Sequence, residues 1–127
     1  MKTLLVKIFA LFAMLGFSQA ILAQEIQPFE QSKFEQLVNN NEAVLIHIHA
    51  DWCPVCRKQA KELNTLLKEP RNASLSVFKV DFDGDRKTLN QFNVKHQSTL
   101  ILFYNGKEIR RATGITNREK LQQFLSF

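Results

Sequence analysis

Two cysteines three positions apart, Cys53 and Cys56, stand where an apolar run ends and a helix-patterned run begins. The stretch Asp51-Trp52-Cys53-Pro54-Val55-Cys56-Arg57 holds both cysteines of the chain and its single tryptophan. Ala43 to Ala50 precedes it, and Arg57 to Leu67 follows it. On the first turn of a helix this spacing sets two sulfurs side by side. One can attack a partner disulfide and the other can resolve the mixed disulfide. The helix start also supplies backbone N–H groups and the positive end of a dipole, both of which favour a thiolate. A Cys-x-x-Cys pair near a strand–helix junction therefore reads as a redox motif. Two other uses weigh less. A zinc site wants four ligands, and there is no second cysteine pair. A structural disulfide across so short a loop would constrain the unfolded chain little.

The 127 residues suffice for one domain, and the first of them do not belong to it. Met1 to Lys7 is a short basic lead, Ile8 to Phe17 an apolar core, and Ser18, Ala20 and Ala23 are small residues after it. This pattern predicts a secretory signal peptide over residues 1–23 and a domain over residues 24–127. The apolar core is short for a membrane anchor, which needs ~20 residues. Cleavage after Ala20 and after Ala23 both fit. Ser18-Gln19-Ala20 matches the small-x-small rule better, but Ala23 leaves the polar start Gln24-Glu25 and is preferred. No cysteine follows the apolar core closely enough for a lipoprotein anchor. Loss of Lys2 and Lys7, with no acid, lowers the net charge from +5 to +3. That mild charge, interleaved as in Lys58, Lys61 and Glu62, speaks against nucleic acid or a membrane surface as partner. Export places the chain in the periplasm or outside the cell, where disulfides persist.

Hydrophobic periodicity orders the rest. Gln24 to Phe29 reads as an extended lead-in. Ser32-Lys33-Phe34-Glu35 is a capping-box pattern that opens a helix ended by Asn39-Asn40-Asn41. Ala43 to Ala50 is a buried strand, with Val44, Ile46 and Ile48 on one face and Leu45, His47 and His49 on the other. The helix after the cysteines turns Cys56, Ala60, Leu63 and Leu67 inward. Leu75 to Phe82 is a second strand, Arg86 to Phe92 a short helix and Thr99 to Phe103 a third strand. Tyr104-Asn105-Gly106-Lys107 is a hairpin turn, and Glu108 to Thr113 returns antiparallel. Thr116-Asn117-Arg118-Glu119 reads as a second capping box before the last helix. An α/β class follows: a mixed central sheet with helices on both faces. Asp81 to Asp85 fails as a calcium loop, since Phe92 occupies the twelfth position. Asn72-Ala73-Ser74 matches a glycosylation sequon that is idle in a bacterial setting.

With these elements placed, the chain resembles the thioredoxin family. Ala50-Asp51-Trp52-Cys53-x-x-Cys56 with a basic residue after it resembles the family signature. Lys79, the segment Ser98-Thr99-Leu100-Ile101-Leu102-Phe103-Tyr104-Asn105-Gly106, and Gly114 resemble separated landmarks at kept spacing. The resemblance covers nearly all of residues 30–127. It implies the thioredoxin fold and disulfide exchange through Cys53 and Cys56, with that redox pair in place of any cofactor. Three positions depart from the family pattern. Pro54-Val55 stands between the cysteines instead of Gly-Pro; proline is welcome on a first helical turn but removes one donor. His47 stands where the family has a buried acid. Ser98 stands where the family has a proline preceded by a cis bond. Since cis before serine costs ~3 kcal/mol, the Gln97–Ser98 bond is expected to be trans, or cis and strained.

Roles follow for the site. Cys53 is the expected nucleophile and the more exposed sulfur, and Cys56 the resolving thiol. His47 is positioned as a proton acceptor for Cys56, with a packed neutral histidine as the alternative. Trp52 packs beside the site, and Gln97, Ser98 and Thr99 line an extended substrate segment. Arg57 and Lys58 lie where they can favour a thiolate. The main expectation is an exported thiol–disulfide oxidoreductase, acting as a reductant and a monomer on cysteine-containing exported proteins. By the resemblance it would draw electrons from a membrane protein. The alternative is a copper or zinc module using Cys53, Cys56, His49 and His96, reached more easily because Ser98 lacks a proline ring.

Overall fold

A computed structural model describes residues 24–127; the expected signal peptide lies outside them. Five strands form one sheet in the order β1-β3-β2-β4-β5. They are β1 (Ile26–Pro28), β2 (Ala43–His49), β3 (Leu75–Asp81), β4 (Thr99–Tyr104) and β5 (Lys107–Thr113). The helices are α1 (Gln31–Asn39), α2 (Pro54–Leu66), α3 (Arg86–Gln91) and α4 (Arg118–Phe124). β1, β3 and β2 run parallel, whereas β4 is antiparallel to β2 and β5 to β4. β2 and β3 are joined through α2, because a short link cannot close a parallel pair. β3 passes through α3 to a β4 that runs antiparallel to its neighbour β2, so a helical link does not by itself make strands parallel. The lead-in is thus a true edge strand, whose three residues pair with Val77 to Lys79.

β2 is buried along its whole length, because both of its faces are covered. Its alternation divides the core. Leu45 joins Leu63, Leu66, Leu75, Leu100, Leu121 and Phe124 beneath α2 and α4. Val44, Ile46 and Ile48 join Phe34, Leu37, Phe78, Leu89 and Ile101 beneath α1 and α3. On that second face Phe29, Phe34, Phe92 and Phe103 meet edge-on or tilted, with centroids 5.1 to 5.8 Å apart. The β4–β5 hairpin turns at Asn105 (φ 51°) and Gly106 (φ 79°), the double positive φ of the turn that suits twisted strands. A Cβ on Gly106 would lie 3.3 Å from Asn41 Oδ1, so glycine fits both the turn and its neighbour.

Two helix starts differ from expectation. α1 begins at Gln31, with Glu30 as N-cap and no side-chain cap. The Ser32 hydroxyl bonds the Glu30 carboxylate instead of a backbone N–H. β1 enters the helix through Phe29, whose N–H bonds Lys79 O, and this fixes the start before the capping box can act. In α4 the cap is Asn117, not Thr116, and its Oδ1 accepts from the Lys120 N–H at 2.9 Å. Asn and Ser rank above Thr as caps, which accounts for the one-residue shift. Asp85 caps α3 through the Thr88 N–H at 3.1 Å, in keeping with a helix cap in place of a calcium loop. Asn72 is buried, and its Nδ2 donates to Leu66 O and Gln122 Oε1, so the sequon asparagine is structural.

Phe34 touches three of these aromatic rings and is 6% exposed. Phe34→Ala is expected to lower stability by ~3–5 kcal/mol, read from the urea midpoint at unchanged slope. A loss under ~1 kcal/mol would show that the cluster refills the space.

Candidate active site

Burial of β2 delivers the cysteine motif to the end of the sheet, and the first turn of α2 shapes it. Cys53 is the N-cap of α2, with extended backbone (φ −83°, ψ 112°) and Pro54 at the first helical position. Its Sγ accepts from the Cys56 N–H at 3.2 Å, the place a serine or aspartate oxygen usually fills. Both cysteines are free thiols. Cys53 is 3% exposed and Cys56 0%. The expected order of depth holds, but Cys53 is not an open sulfur.

Ser98 stands directly against it, with Ala50 and Phe82 packed in the same cluster. The Ser98 Oγ lies 3.2 Å from Cys53 Sγ and 3.2 Å from Cys56 Sγ. The Gln97–Ser98 bond is trans, and Ser98 takes φ 61° instead. A side-chain-bearing residue there costs ~1 kcal/mol or more. Three bonds hold it: its N–H donates to Ile48 O at 2.9 Å, and its C=O accepts from the Gly114 N–H and from Gln59 Nε2, each at 3.0 Å. Both backbone groups of Ser98 are therefore engaged inside the protein. Thr99 is also buried, with its hydroxyl donating to His96 O at 2.8 Å and 3.0 Å from Thr113 Oγ1. Of the three residues expected to line a substrate segment, Ser98 and Thr99 are buried and only Gln97 is partly exposed.

The two thiols differ electrostatically. Burial pushes the Cys53 thiol up. The hydrogen bonds from the Cys56 thiol, the Ser98 hydroxyl and the N–H groups of Cys56 and Val55 outweigh it, and the Cys53 pKa falls below the ordinary thiol value. Burial and the bond it gives to Cys53 both push the Cys56 thiol up.

His47 makes no hydrogen bond to Cys56. Its Nε2 lies 3.2 Å from Gln59 Oε1, and its Nδ1 has no partner. Since Gln59 Nε2 donates to Ser98, Gln59 Oε1 must accept, so neutral His47 carries its proton on Nε2. Burial and then the nearby His49 lower the His47 pKa from 6.5 to about 4, with Lys79 adding to this and the Gln59 bond opposing it. The sequence missed Gln59. It is fully buried, and its spacing of three from Cys56 and four from Leu63 was the available signal.

The four-ligand metal set is not assembled. His49 Nε2 is 3.1 Å from Asp51 Oδ1, its ring packs 5.3 Å from that of His47, and His96 is exposed in its loop. Among the described residues no three His, Cys, Asp or Glu side chains are grouped to hold an ion. Trp52 is 58% exposed, and its Nε1 donates to Asp83 Oδ2 at 2.8 Å. It lies over the surface beside the site, tied by a residue 31 positions away that no local pattern pointed to. Arg57 is spent on the Asp51 carbonyl at 2.9 Å.

A dithiol at a helix start, at the end of a mixed five-stranded sheet, defines a class, and comparison with known proteins gives its family. The family model described as Thioredoxin matches residues 25–126. Thioredoxin from Chlamydia trachomatis is 31% identical over 101 residues, covering 80% of this chain and 96% of its own. The bifunctional thioredoxin reductase/thioredoxin of Mycobacterium leprae is 32% identical, but the chain spans only 22% of its length. The crystal structure of Trxlp from Edwardsiella tarda superposes with a TM-score of 0.78 at 43% identity, covering 81% of this chain and 100% of that one. The chain belongs to the thioredoxin family and is a thioredoxin-like thiol–disulfide oxidoreductase.

The His47 shift has a thermodynamic consequence. A histidine with depressed folded-state pKa binds fewer protons folded than unfolded between pH 4 and 6.5. Stability is then complete above pH 6.5 and falls as pH drops toward 4, by an amount on the order of 3 kcal/mol. Urea unfolding of wild type and His47→Gln across that window should show the slope in wild type and its flattening in the variant. Equal slopes in the two proteins would assign the acid sensitivity to other groups.

Proposed function

We propose that this chain is an exported reductant of disulfides in other exported proteins, with Cys53 as nucleophile and Cys56 as resolving thiol. The observation that carries the roles is the asymmetry of the pair. Cys53 caps α2, accepts hydrogen bonds from Ser98, Cys56 and the first turn of the helix and is the more acidic thiol, whereas Cys56 is deeper and less acidic. The thiolate is the attacking species, so Cys53 reacts first near neutral pH. Its attack on a substrate disulfide gives a mixed disulfide, and attack by Cys56 on Cys53 releases the reduced substrate. The substrate segment passes beside Gln97, which is partly exposed, and Trp52, which is exposed. Export rests on the basic lead, apolar core and small residues of positions 1–23. A reductant in an oxidising compartment needs a supply of electrons, for which a membrane protein is the natural source; the domain itself acts as a monomer.

Alkylation of the reduced protein at neutral pH is expected to label Cys53 well before Cys56. Cys53→Ser should abolish insulin reduction, and Cys56→Ser should accumulate mixed disulfides through Cys53. Faster labelling of Cys56 would reverse the assignment. For export, expression in a bacterial host followed by fractionation and N-terminal sequencing should give a periplasmic protein starting at Gln24 or, by the other cleavage, Ile21. An unprocessed cytosolic chain starting at Met1 would rule export out.

A further inference from the structure

Resolution of the mixed disulfide requires Cys56 to lose a proton and the departing substrate sulfur to gain one. Cys56 is fully buried. Its Sγ contacts Ser98 Oγ at 3.2 Å and the Ile48 carbonyl at 3.9 Å, and it bonds Cys53 and the Ala50 backbone; His47, with Nε2 on Gln59 and Nδ1 without a partner, makes no hydrogen bond to it. Neither a peptide carbonyl nor a peptide N–H takes the proton, and Cys53 is the atom under attack. The remaining polar atom is the Ser98 hydroxyl, which stands equally close to both sulfurs. A hydroxyl has one proton to give and lone pairs to receive another. Resting on the roles given above to Cys53 and Cys56, we propose that Ser98 is a catalytic proton shuttle for resolution, and that Gln59 is the positioning residue that keeps its hydroxyl between the sulfurs.

In that step Cys56 Sγ attacks Cys53 Sγ. The bond between Cys53 and the substrate sulfur breaks, and its electron pair leaves with the substrate. The Cys56 proton passes to Ser98 Oγ while the Ser98 proton passes to the departing sulfur. Ser98 ends as it began, the protein dithiol is oxidised to a disulfide, and the substrate leaves as a thiol. Gln59 acts at one remove. It is fully buried, its Nε2 holds the Ser98 carbonyl at 3.0 Å, and its Oε1 is fixed by His47. Without that bond one of the three restraints on the left-handed Ser98 is gone, and the side chain need not stay between the sulfurs.

The test follows the mixed disulfide by acid quench and mass spectrometry after mixing reduced protein with hydroxyethyl disulfide or with dithiobis-nitrobenzoate. The alkyl thiol is a poor leaving group that needs a proton, and the aryl thiolate departs without one. Ser98→Ala and Ser98→Gly are expected to slow clearance of the hydroxyethyl adduct at least about tenfold, the lower end of acid–base assistance and below. Clearance of the nitrobenzoate adduct should be slowed several-fold less. The glycine variant accepts positive φ freely, so it keeps the backbone while lacking the hydroxyl. Gln59→Met should slow the hydroxyethyl adduct by about threefold or more and add nothing in a Ser98→Ala background, as expected of coupled residues. No slowing, or equal slowing with both leaving groups, overturns the shuttle. Additive effects overturn the positioning role of Gln59. An adduct mapped to Cys56 overturns instead the nucleophile assignment on which the shuttle rests.

Discussion

The hydrogen bond from the Ser98 N–H to the Ile48 carbonyl ties the loop over the dithiol to the strand that delivers it. β2 and β4 pair from Val44 with Phe103 to His47 with Leu100, and this bond carries the contact past the last register pair. It fixes what can stand at position 98. Proline has no N–H to give, and its ring holds φ near −65°, far from the 61° observed. The residue covering the sulfurs must therefore be a hydrogen-bond donor on its backbone, and as serine it is one on its side chain too. The proline position of the family has become, in this chain, a polar contact with both thiols.

Most of the fold could be read from alternation, because β2 leaves no doubt about its faces. Val44, Ile46 and Ile48 go one way and Leu45 the other, and each lands in the core expected. Asn105-Gly106 identified its hairpin for a local reason, positive φ at two successive residues. Helix starts were harder to place: a capping pattern states that a helix begins nearby, while the strand or loop feeding it decides which residue turns first. At the site, the two cysteines were legible because their chemistry is local to one helical turn. Gln59 was not, because its value lies in joining His47 on β2 to Ser98 before β4, and such a link depends on tertiary placement. The same holds for Trp52 and Asp83, and for His96, whose loop follows α3 and leaves its ring outside the cluster that His47 and His49 share.

Beneath the dithiol, the chain of groups His47–Gln59–Ser98 is neutral. A buried carboxylate at position 47 would need desolvation to be offset by a partner charge. A neutral imidazole donating to an amide avoids that cost but leaves Nδ1 bare, which is the part of the arrangement that acid attacks. With no ionised base against Cys56, the bonds from Ser98 and the Ala50 backbone do not offset burial, which keeps the thiol protonated until it is called to react. This divides the labour of the pair. Thiolate stabilisation is concentrated on Cys53, at the helix cap, and proton removal from Cys56 is left to a group that carries no charge of its own.

That division bears on redox poise. Bonds to the Cys53 thiolate stabilise the reduced form; in the disulfide the sulfur is uncharged and the same donors contribute less. A hydrogen bond to a charged group is worth ~1.5–3 kcal/mol, and ~1.4 kcal/mol corresponds to about 30 mV for a two-electron couple. Each such donor therefore raises the reduction potential by tens of millivolts while making Cys53 a better-ionised nucleophile. Ser98 adds a donor that a proline could not supply, and Pro54 removes one at the first helical turn. The two departures from the family pattern oppose each other on the same sulfur. Fast attack at neutral pH and strong reducing power pull apart in this way. A chain that keeps its nucleophile ionised gives up some of its own driving force, and any such protein working as a reductant must be recharged by a donor of lower potential than its own.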